Sequence, residues 1–309
     1  MDSAPFHADL AGGPPGGRAV WLHASDGVRL RAALWPGAGR GTVLLLPGRT
    51  EVAEKYGAIA ADLVAAGWGV VTLDWRGQGL SDRVGGDSGL GHVRRFAEYQ
   101  ADVAALRALA CGLARPHVML SHSMGGCIGL RALIDGLPVA AAAFSAPMWG
   151  LPLTRTVRLG IAGLALAGRL RGRDGRAVPG ERSDFALSDA DFDANMLTTD
   201  RAQFDRMQAQ VRARPELALG APTLAWLSAA LAETSALARL PSPACPAMTG
   251  VGSLEKIVCP RAIADRMERW PGGRLTVYPG AEHELMMEAP ATRRAFLDAA
   301  LALFDRAAS

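Results

Sequence analysis

A serine between an apolar run and a helix-like run is the first candidate for chemistry in this chain. Ser123 is the third residue of Ser-His-Ser-Met-Gly-Gly at 121–126, which follows the β-prone run 117–121 and precedes a helix-like run. A nucleophile at such a strand-to-helix turn has a strained backbone, and crowding favours small residues two positions before and after it. Ser121 and Gly125 meet this requirement, although glycine is more usual at the first position. The pattern predicts that Ser123 is a nucleophile; a plain turn that begins a helix is the alternative.

An activated serine needs a base, and His283 is the histidine best placed for this role. It lies in Pro-Gly-Ala-Glu-His-Glu at 279–284, directly after the last predicted strand. Five other histidines lie in the N-terminal tail, on predicted strands or in a loop: His7, His23, His92, His117 and His122. Strand alternation predicts that His122 points away from Ser123. We therefore expect His283 to act as the base.

The imidazole in turn needs a carboxylate that fixes its tautomer. Glu255 follows the predicted strand 247–252 and precedes His283 by 28 residues, which gives the chain order serine, acid, histidine. Asp265 is a competitor, but it lies on a predicted helix, where a solvated position is the simpler interpretation. Asp74 also follows a strand, but we expect it to brace loops because it precedes the serine. Glu255 is the predicted acid.

A developing oxyanion needs two preorganised N–H donors. One is the backbone N–H of the residue after the nucleophile, which is Met124. The other comes from the loop Leu-Pro-Gly-Arg-Thr at 46–50, where Gly48 allows the backbone to approach a substrate closely. The predicted oxyanion donors are therefore the backbone N–H groups of Met124 and Arg49.

Positioning these residues requires strands that end at one edge of a sheet. Short apolar runs predict strands at 28–35, 42–47, 69–74, 117–121, 139–144, 247–252 and 275–278, and helical spacing predicts helices at 54–66, 96–113, 261–269 and 291–307. Alternation of strands and helices implies a largely parallel sheet with helices on both faces. The predicted fold class is α/β.

One long interval departs from this alternation. Residues 148–243 are helical in pattern but poor in strands, with helix-like runs at 159–167 and 223–240. We interpret this interval as an inserted helical cap. The predicted core is then formed in two parts, by residues 1–147 and 244–309.

The composition excludes several classes of protein. Half of the residues are apolar and the formal net charge is +3, without a basic run interleaved with aromatics, which argues against nucleic-acid binding. No stretch of about 18 apolar residues is present that could span a bilayer. The four cysteines are scattered without metal-ligand spacing and each lies beside apolar neighbours, which predicts buried free thiols in a reducing compartment. The N-terminal sequence lacks the pattern of an export signal, so a cytoplasmic location is expected.

One segment of the predicted cap suggests contact with a membrane. Between Leu153 and Arg173, four large aliphatic residues lie among five arginines: Leu159, Ile161, Leu164, Leu166, Arg155, Arg158, Arg169, Arg171 and Arg173. An apolar patch ringed by cations favours reversible attachment to the inner, anionic face of a membrane. The alternative is a helix that buries these leucines over the active site.

Several motifs together carry a family resemblance. They are the segments 47–49, 55–56, 74–81, 91–96, 121–126, 145–148, 222–223, 280–281 and 283–284, together with Glu51 and Trp226. In these motifs the chain resembles the lysophospholipase L2 and monoacylglycerol lipase family of α/β-hydrolases, among the serine aminopeptidase S33-like hydrolases. The similarity extends from about residue 40 to the end of the chain.

The resemblance implies the α/β-hydrolase fold and a serine esterase mechanism through Ser123, Glu255 and His283, without metal or organic cofactor. It also implies a cap over an acyl-chain tunnel and, as substrate, a small single-chain lipid ester. Pro47, where monoacylglycerol lipases usually have histidine, matches the lysophospholipase branch. The acid is glutamate where many relatives have aspartate. The chain departs from the family pattern at these two positions.

Fold and triad do not fix the substrate, so other functions compete. A general carboxylesterase or an S33-type aminopeptidase is possible on the same scaffold, as is a ligand-binding protein without turnover. A mechanism with an aspartate nucleophile is excluded by Ser123. The sequence does not predict an oligomeric state.

Overall fold

A nine-stranded sheet lies at the centre of the computed structural model, which describes residues 1–83, 89–178 and 187–308. The strands are β1 (Ser3–Ala4), β2 (Arg18–His23), β3 (Arg29–Trp35), β4 (Thr42–Leu46), β5 (Gly69–Leu73), β6 (His117–His122), β7 (Ala142–Ser145), β8 (Ala247–Gly252) and β9 (Arg274–Tyr278). Their order across the sheet is β1-β2-β3-β5-β4-β6-β7-β8-β9.

The pairing of the strands confirms the predicted fold class. From β5 through β4 to β9 each neighbouring pair is parallel. The pairs β1–β2, β2–β3 and β3–β5 are antiparallel. Two strands, β1 and β2, have no counterpart among the predicted ranges. The two residues of β1 are too few to produce a pattern, and only two of the six residues of β2 are buried. The parallel strands end at one edge of the sheet, as positioning of the site requires.

Helices cover both faces of this sheet. They are α1 (Ala8–Ala11), α2 (Gly57–Ala65), α3 (Glu98–Ala110), α4 (Ser123–Ile134), α5 (Arg155–Leu170), α6 (Arg201–Ala213), α7 (Leu224–Leu237), α8 (Pro260–Glu268) and α9 (Pro290–Ala308). Along β4, Leu44 and Leu46 pack into one hydrophobic cluster with α3 and α4, whereas Val43 and Leu45 pack into a second cluster with α2 and α9. Burial on both faces explains why β4 is apolar from Val43 to Leu46.

Helices α5, α6 and α7 lie between β7 and β8, in the interval that we interpret as a cap. The proposed boundaries of this cap, 147/148 and 243/244, fall in the connections after β7 and before β8. Part of the interval, 179–186, lies outside the described residues. The cap is tied to the N-terminal segment, since the side-chain amide of Gln210 donates a hydrogen bond to the carbonyl of Leu10 over 3.0 Å.

The cysteines differ in part from the prediction. All four are free thiols, but Cys111 is exposed and Cys127 is the buried one, with Cys245 and Cys259 half-buried. Cys111 follows the last residue of α3, and the apolar neighbours that suggested burial belong to the inner face of that helix. Among the described helices, none is long and apolar enough to cross a bilayer.

Candidate active site

Ser123 lies at the sharp turn between β6 and α4. Its φ of 48° is in the left-handed region, which is strained for a residue with a side chain. The turn leaves no room at Gly125, where a Cβ would lie 2.2 Å from the carbonyl oxygen of Leu46. Strain and crowding are the two features expected of a turn that presents a nucleophile.

His283 and Glu255 form a buried hydrogen-bonded pair. His283 Nδ1 lies 2.6 Å from Glu255 Oε2, and both side chains are less than a tenth exposed. Glu255 Oε1 accepts the backbone N–H groups of Ile257 and Val258 over 2.6 and 2.9 Å. Burial acts to raise the pKa of Glu255, but the contact with His283 and the two amides lower it overall. The carboxylate is therefore ionised at neutral pH and held in one orientation.

The two competing carboxylates lie elsewhere. Asp265 is exposed on α8, as its helical pattern predicts. Asp74 is fully buried and accepts hydrogen bonds from Arg31 Nε over 2.7 Å and from the backbone N–H groups of Ala53 and Leu80 over 3.0 and 2.9 Å. Asp74 connects β3 to the segments that carry Ala53 and Leu80, so Glu255 is the carboxylate that meets the imidazole.

The loop that follows β4 lines the same cavity as the nucleophile. Arg49 and Met124, the two proposed oxyanion donors, both line this cavity. The Arg49 side chain donates a hydrogen bond to the carbonyl of Gly220 over 2.6 Å and lies 5.3 Å from the ring centroid of Trp226. Arg49 therefore connects the loop after β4 to the segment that carries Gly220 and Trp226, a contact that the sequence did not reveal.

His122 has a different position from the one predicted. It lines the same cavity as Ser123, and its ring centroid lies 4.7 Å from that of His283. Strand alternation does not apply here, because β6 ends at His122 and the chain turns into α4 at the next residue. Burial lowers the pKa of His122 to about 3, so the ring is neutral and cannot repel a protonated His283.

Ser123 and His283 line a cavity of about 670 Å³ whose remaining walls are mainly apolar. The cap supplies much of the apolar wall through Leu151, Phe204, Met207, Leu219 and Trp226. The cap also contacts the loop that carries His283, since the backbone N–H of Glu284 donates a hydrogen bond to the carbonyl of Leu197 over 2.8 Å. A volume of this size fits a small organic ligand with one extended apolar part.

A family model described as serine aminopeptidase, S33, matches residues 37–290. The chain belongs to this family. The resemblance stated from the motifs is thereby confirmed. Lysophospholipase L2 of Escherichia coli (strain K12) is 34% identical to this S33 family member over 277 residues, which cover 85% of this chain and 80% of the relative. Monoacylglycerol lipase of Mycolicibacterium smegmatis is 38% identical over 106 residues, 33% of this chain and 36% of the relative.

Solved structures agree on the fold of the S33 chain. A soluble variant of monoglyceride lipase from Saccharomyces cerevisiae, in complex with a substrate analog, superimposes with a TM-score of 0.75 at 19% identity, covering 98% of this chain and 99% of that one. The monoacylglycerol lipase of Paleococcus ferrophilus gives 0.71 at 18% identity, covering 90% and 99%. The prediction of an α/β-hydrolase fold is confirmed.

Proposed function

We propose that this protein is a serine hydrolase that cleaves the carboxylic ester of a single-chain lipid, a lysophospholipid or a monoacylglycerol. The observation that carries the proposal is the cavity of about 670 Å³, in which Ser123 and His283 are set into a mainly apolar wall. Such a wall suits an acyl chain that leads to an ester at the serine. The similarity to lysophospholipase L2 supports the same substrate class.

The proposed reaction passes through an acyl-enzyme. His283 takes the proton of the Ser123 hydroxyl as the oxygen attacks the ester carbonyl carbon, and the carbonyl becomes an oxyanion. Glu255 holds the imidazole in the tautomer whose Nε2 is free to accept that proton. The alkoxide of the glycerol-based head group leaves with the proton from His283. Water then attacks the acyl-enzyme by the same steps and releases the fatty acid.

The proposed oxyanion site uses backbone donors only. The N–H of Met124 lies in the first turn of α4, where the helix dipole adds positive potential. The second N–H is that of Arg49, in the loop after β4. Because Arg49 is held by Gly220 and Trp226 of the cap, the loop is braced before a substrate arrives. No metal or organic cofactor enters these steps.

An aminopeptidase needs an unpaired carboxylate to receive the ammonium group of a peptide. Among the described residues, the acids that line the cavity are Glu51 and Glu284. Both are already paired with the ammonium group of Lys55. This pairing favours a neutral apolar substrate over a peptide amino terminus.

The substrate class is tested by comparing kcat/KM for four compounds. We expect C16 lysophosphatidylcholine or C16 monoacylglycerol to exceed an aminoacyl anilide by at least roughly 100-fold, because a buried acyl chain contributes several kcal/mol. A two-chain phospholipid should be cleaved slowly, because the cavity has room for one chain.

Three outcomes would contradict this proposal. Preference for the anilide would indicate the aminopeptidase activity that the family name describes. Failure of a fluorophosphonate probe to label the wild-type protein would indicate a ligand-binding protein without turnover. Labelling combined with hydrolysis of short esters alone would indicate a general carboxylesterase.

We further propose that α5 attaches the protein reversibly to the inner face of a membrane. Leu159, Leu166 and Leu170 are 67%, 60% and 80% exposed, and their spacing of seven and four residues places them on one face of the helix. The alternative, a helix that buries these leucines over the active site, is wrong. Exposed arginines flank the face, including Arg155 and Arg169. A cytoplasmic location is part of this proposal, and the four free thiols support it.

Replacing Leu159 and Leu166 together by glutamine should reduce binding to phosphatidylglycerol vesicles by at least about tenfold, because two inserted side chains are lost. Co-sedimentation measures the bound fraction. The matched control is Val277→Gln, which removes a 54% exposed aliphatic side chain from β9. Raising the salt from about 0.1 M to about 0.5 M should weaken binding of the wild-type protein. Binding that is insensitive to salt would contradict the role of the arginines.

A further inference from the structure

A buried cluster of charged side chains lies beside the triad and takes no part in the proposed proton transfers. Lys55 Nζ lies 2.6 Å from Glu51 Oε1 and forms a second ion pair with Glu284 Oε2. The hydroxyl of Tyr56 donates a hydrogen bond to Glu51 Oε2. Glu51, Lys55 and Glu284 are each less than a tenth exposed. Desolvating three charges is costly, so their placement needs an explanation.

Each part of this cluster touches a different segment of the active site. Glu51 accepts the backbone N–H of Gly48, in the loop that carries Arg49. Glu284 directly follows the base, His283, along the chain. The cluster thus joins two loops through one ammonium group. They are the proposed oxyanion loop, 46–50, and the loop 279–284 that carries His283, which we call the base loop.

The third segment of the site, the turn that carries Ser123, reaches the cluster through the preceding residue. His122 Nε2 lies 3.6 Å from Glu51 Oε1, and the Nδ1 of the same ring lies 3.0 Å from the carbonyl oxygen of Ser145. The ring also packs on His283. All three segments that the reaction needs therefore meet on Glu51 and its partners.

A metal ion bound by the acidic residues of this cluster is the obvious alternative to the ammonium group of Lys55. Ligand atoms of Glu51, His122 and Glu284 lie within 4.8 Å of one another, a spacing that could hold a metal ion. The ammonium group of Lys55, however, already contacts both carboxylates. A divalent ion between them would be repelled by this fixed positive charge. The chain therefore supplies its own cation, and the residue is one of only two lysines among 33 basic residues.

The charge state of Glu51 fits this role. Burial acts to raise the pKa of Glu51, but Lys55, His122 and the hydrogen bonds from Lys55 and Tyr56 lower it to about 2. The carboxylate is thus a permanent anion at neutral pH, and it accepts the Gly48 N–H as a charge-assisted hydrogen bond. Such hydrogen bonds are about twice as strong as neutral ones, so this bond is suited to hold the loop at Gly48 in one position.

We propose that Glu51 and Lys55 are positioning residues that fix the oxyanion loop relative to the base loop for acyl transfer. The inference rests on the proposed function, because it concerns the geometry of that reaction. Neither side chain needs to touch the reacting atoms. A shift of about 1 Å in a catalytic segment can cost roughly 100-fold in rate, so loss of this connection should slow the chemical step. Binding of the acyl chain depends on the apolar wall and should be preserved.

The test uses Glu51→Gln, which keeps the shape and removes the charge. We expect kcat for p-nitrophenyl butyrate to fall roughly 10- to 100-fold with KM within about twofold. The rate at which a fluorophosphonate labels Ser123 should fall by a similar factor. Tyr56→Phe removes a single hydrogen bond to Glu51 without changing any charge, and should lower kcat by roughly fivefold. This milder variant decides the question where Glu51→Gln does not fold.

The matched control is Glu54→Gln. Glu54 is fully buried three residues further along the chain, and its side chain pairs with Arg31 over 2.6 Å and accepts the backbone N–H of His7, neither of which lines the cavity. Its replacement should lower the melting temperature to a similar extent and leave kcat unchanged. Equal kcat in Glu51→Gln and Glu54→Gln, or a kcat of Tyr56→Phe equal to that of the wild type, would show a purely structural role and overturn the inference. Absence of labelling in the wild-type protein would overturn the proposed function, and the positioning role with it.

Discussion

Ser123→Ala and His283→Ala should each lower kcat/KM for a lipid ester by roughly 10⁴-fold or more, with the fold intact. Alanine at position 123 removes the oxygen that forms the acyl bond, and its backbone is subject to the same strain at φ 48°. Alanine at position 283 removes the base, but Glu255 keeps its hydrogen bonds from Ile257 and Val258. Initial rates and melting temperatures of the two variants measure activity and folding separately.

Replacement of the predicted acid, Glu255, tests the same triad more specifically. In Glu255→Gln the side-chain oxygen should remain on the two backbone N–H groups, which turns the amide NH₂ toward Nδ1 of His283. The imidazole is then held in the wrong tautomer, with its proton on the nitrogen that must act as base, and kcat should fall roughly 10³- to 10⁴-fold. The control Asp265→Asn lies on the exposed face of α8 and should have wild-type activity. Wild-type rates in Ser123→Ala or His283→Ala, or damage from Asp265→Asn but not from Glu255→Gln, would refute this assignment.

The elements that could be predicted from the sequence are those whose signal is local. The run 42–47 is apolar from Val43 onward because β4 is covered on both faces, and it was predicted to within one residue. The turn at Ser123 could be recognised because a serine, a strained backbone and a missing Cβ at Gly125 belong to one short segment. Site residues that lie together in one short segment can therefore be recognised from the sequence.

The charged cluster had no such signal. Glu51 and Lys55 lie four residues apart, but Glu284 joins them from the far end of the chain. Each of these residues alone suggests an exposed side chain, because charged residues are rarely buried without a partner. A glutamate and a rare lysine four residues apart were the available hint. The partner itself is set by tertiary packing.

The face that α5 presents to solvent was also beyond prediction. The pattern of leucines and arginines showed an amphipathic helix but not what covers it. The structure packs α5 against α7 and leaves Leu159 and Leu166 exposed. Whether the apolar face is buried or exposed depends on where the neighbouring helix lies, and the periodicity of the sequence does not show that position.

Acyl chain length should control the specificity constant of this enzyme. The apolar residues that line the cavity of about 670 Å³ include Met148, Leu151, Phe204, Met207 and Leu219. Each methylene transferred from water to such a wall contributes about 0.8 kcal/mol, which corresponds to up to roughly fourfold in kcat/KM. The gain in kcat/KM continues only while each added methylene contacts the apolar wall. We therefore expect a steep rise from short esters, followed by a plateau when the cavity is full.

The measurement is kcat/KM for monoacylglycerols and lysophosphatidylcholines from C4 to C18, below the concentration at which each forms micelles. Met207→Trp tests the same idea from the side of the protein, because Met207 is buried on α6 and a larger side chain there removes volume from the cavity. This variant should reach its plateau at a shorter chain while its rate on the C4 ester stays close to that of the wild type. If kcat/KM falls steadily beyond C4, or if Met207→Trp leaves the plateau where it is, then the acyl chain does not occupy this cavity.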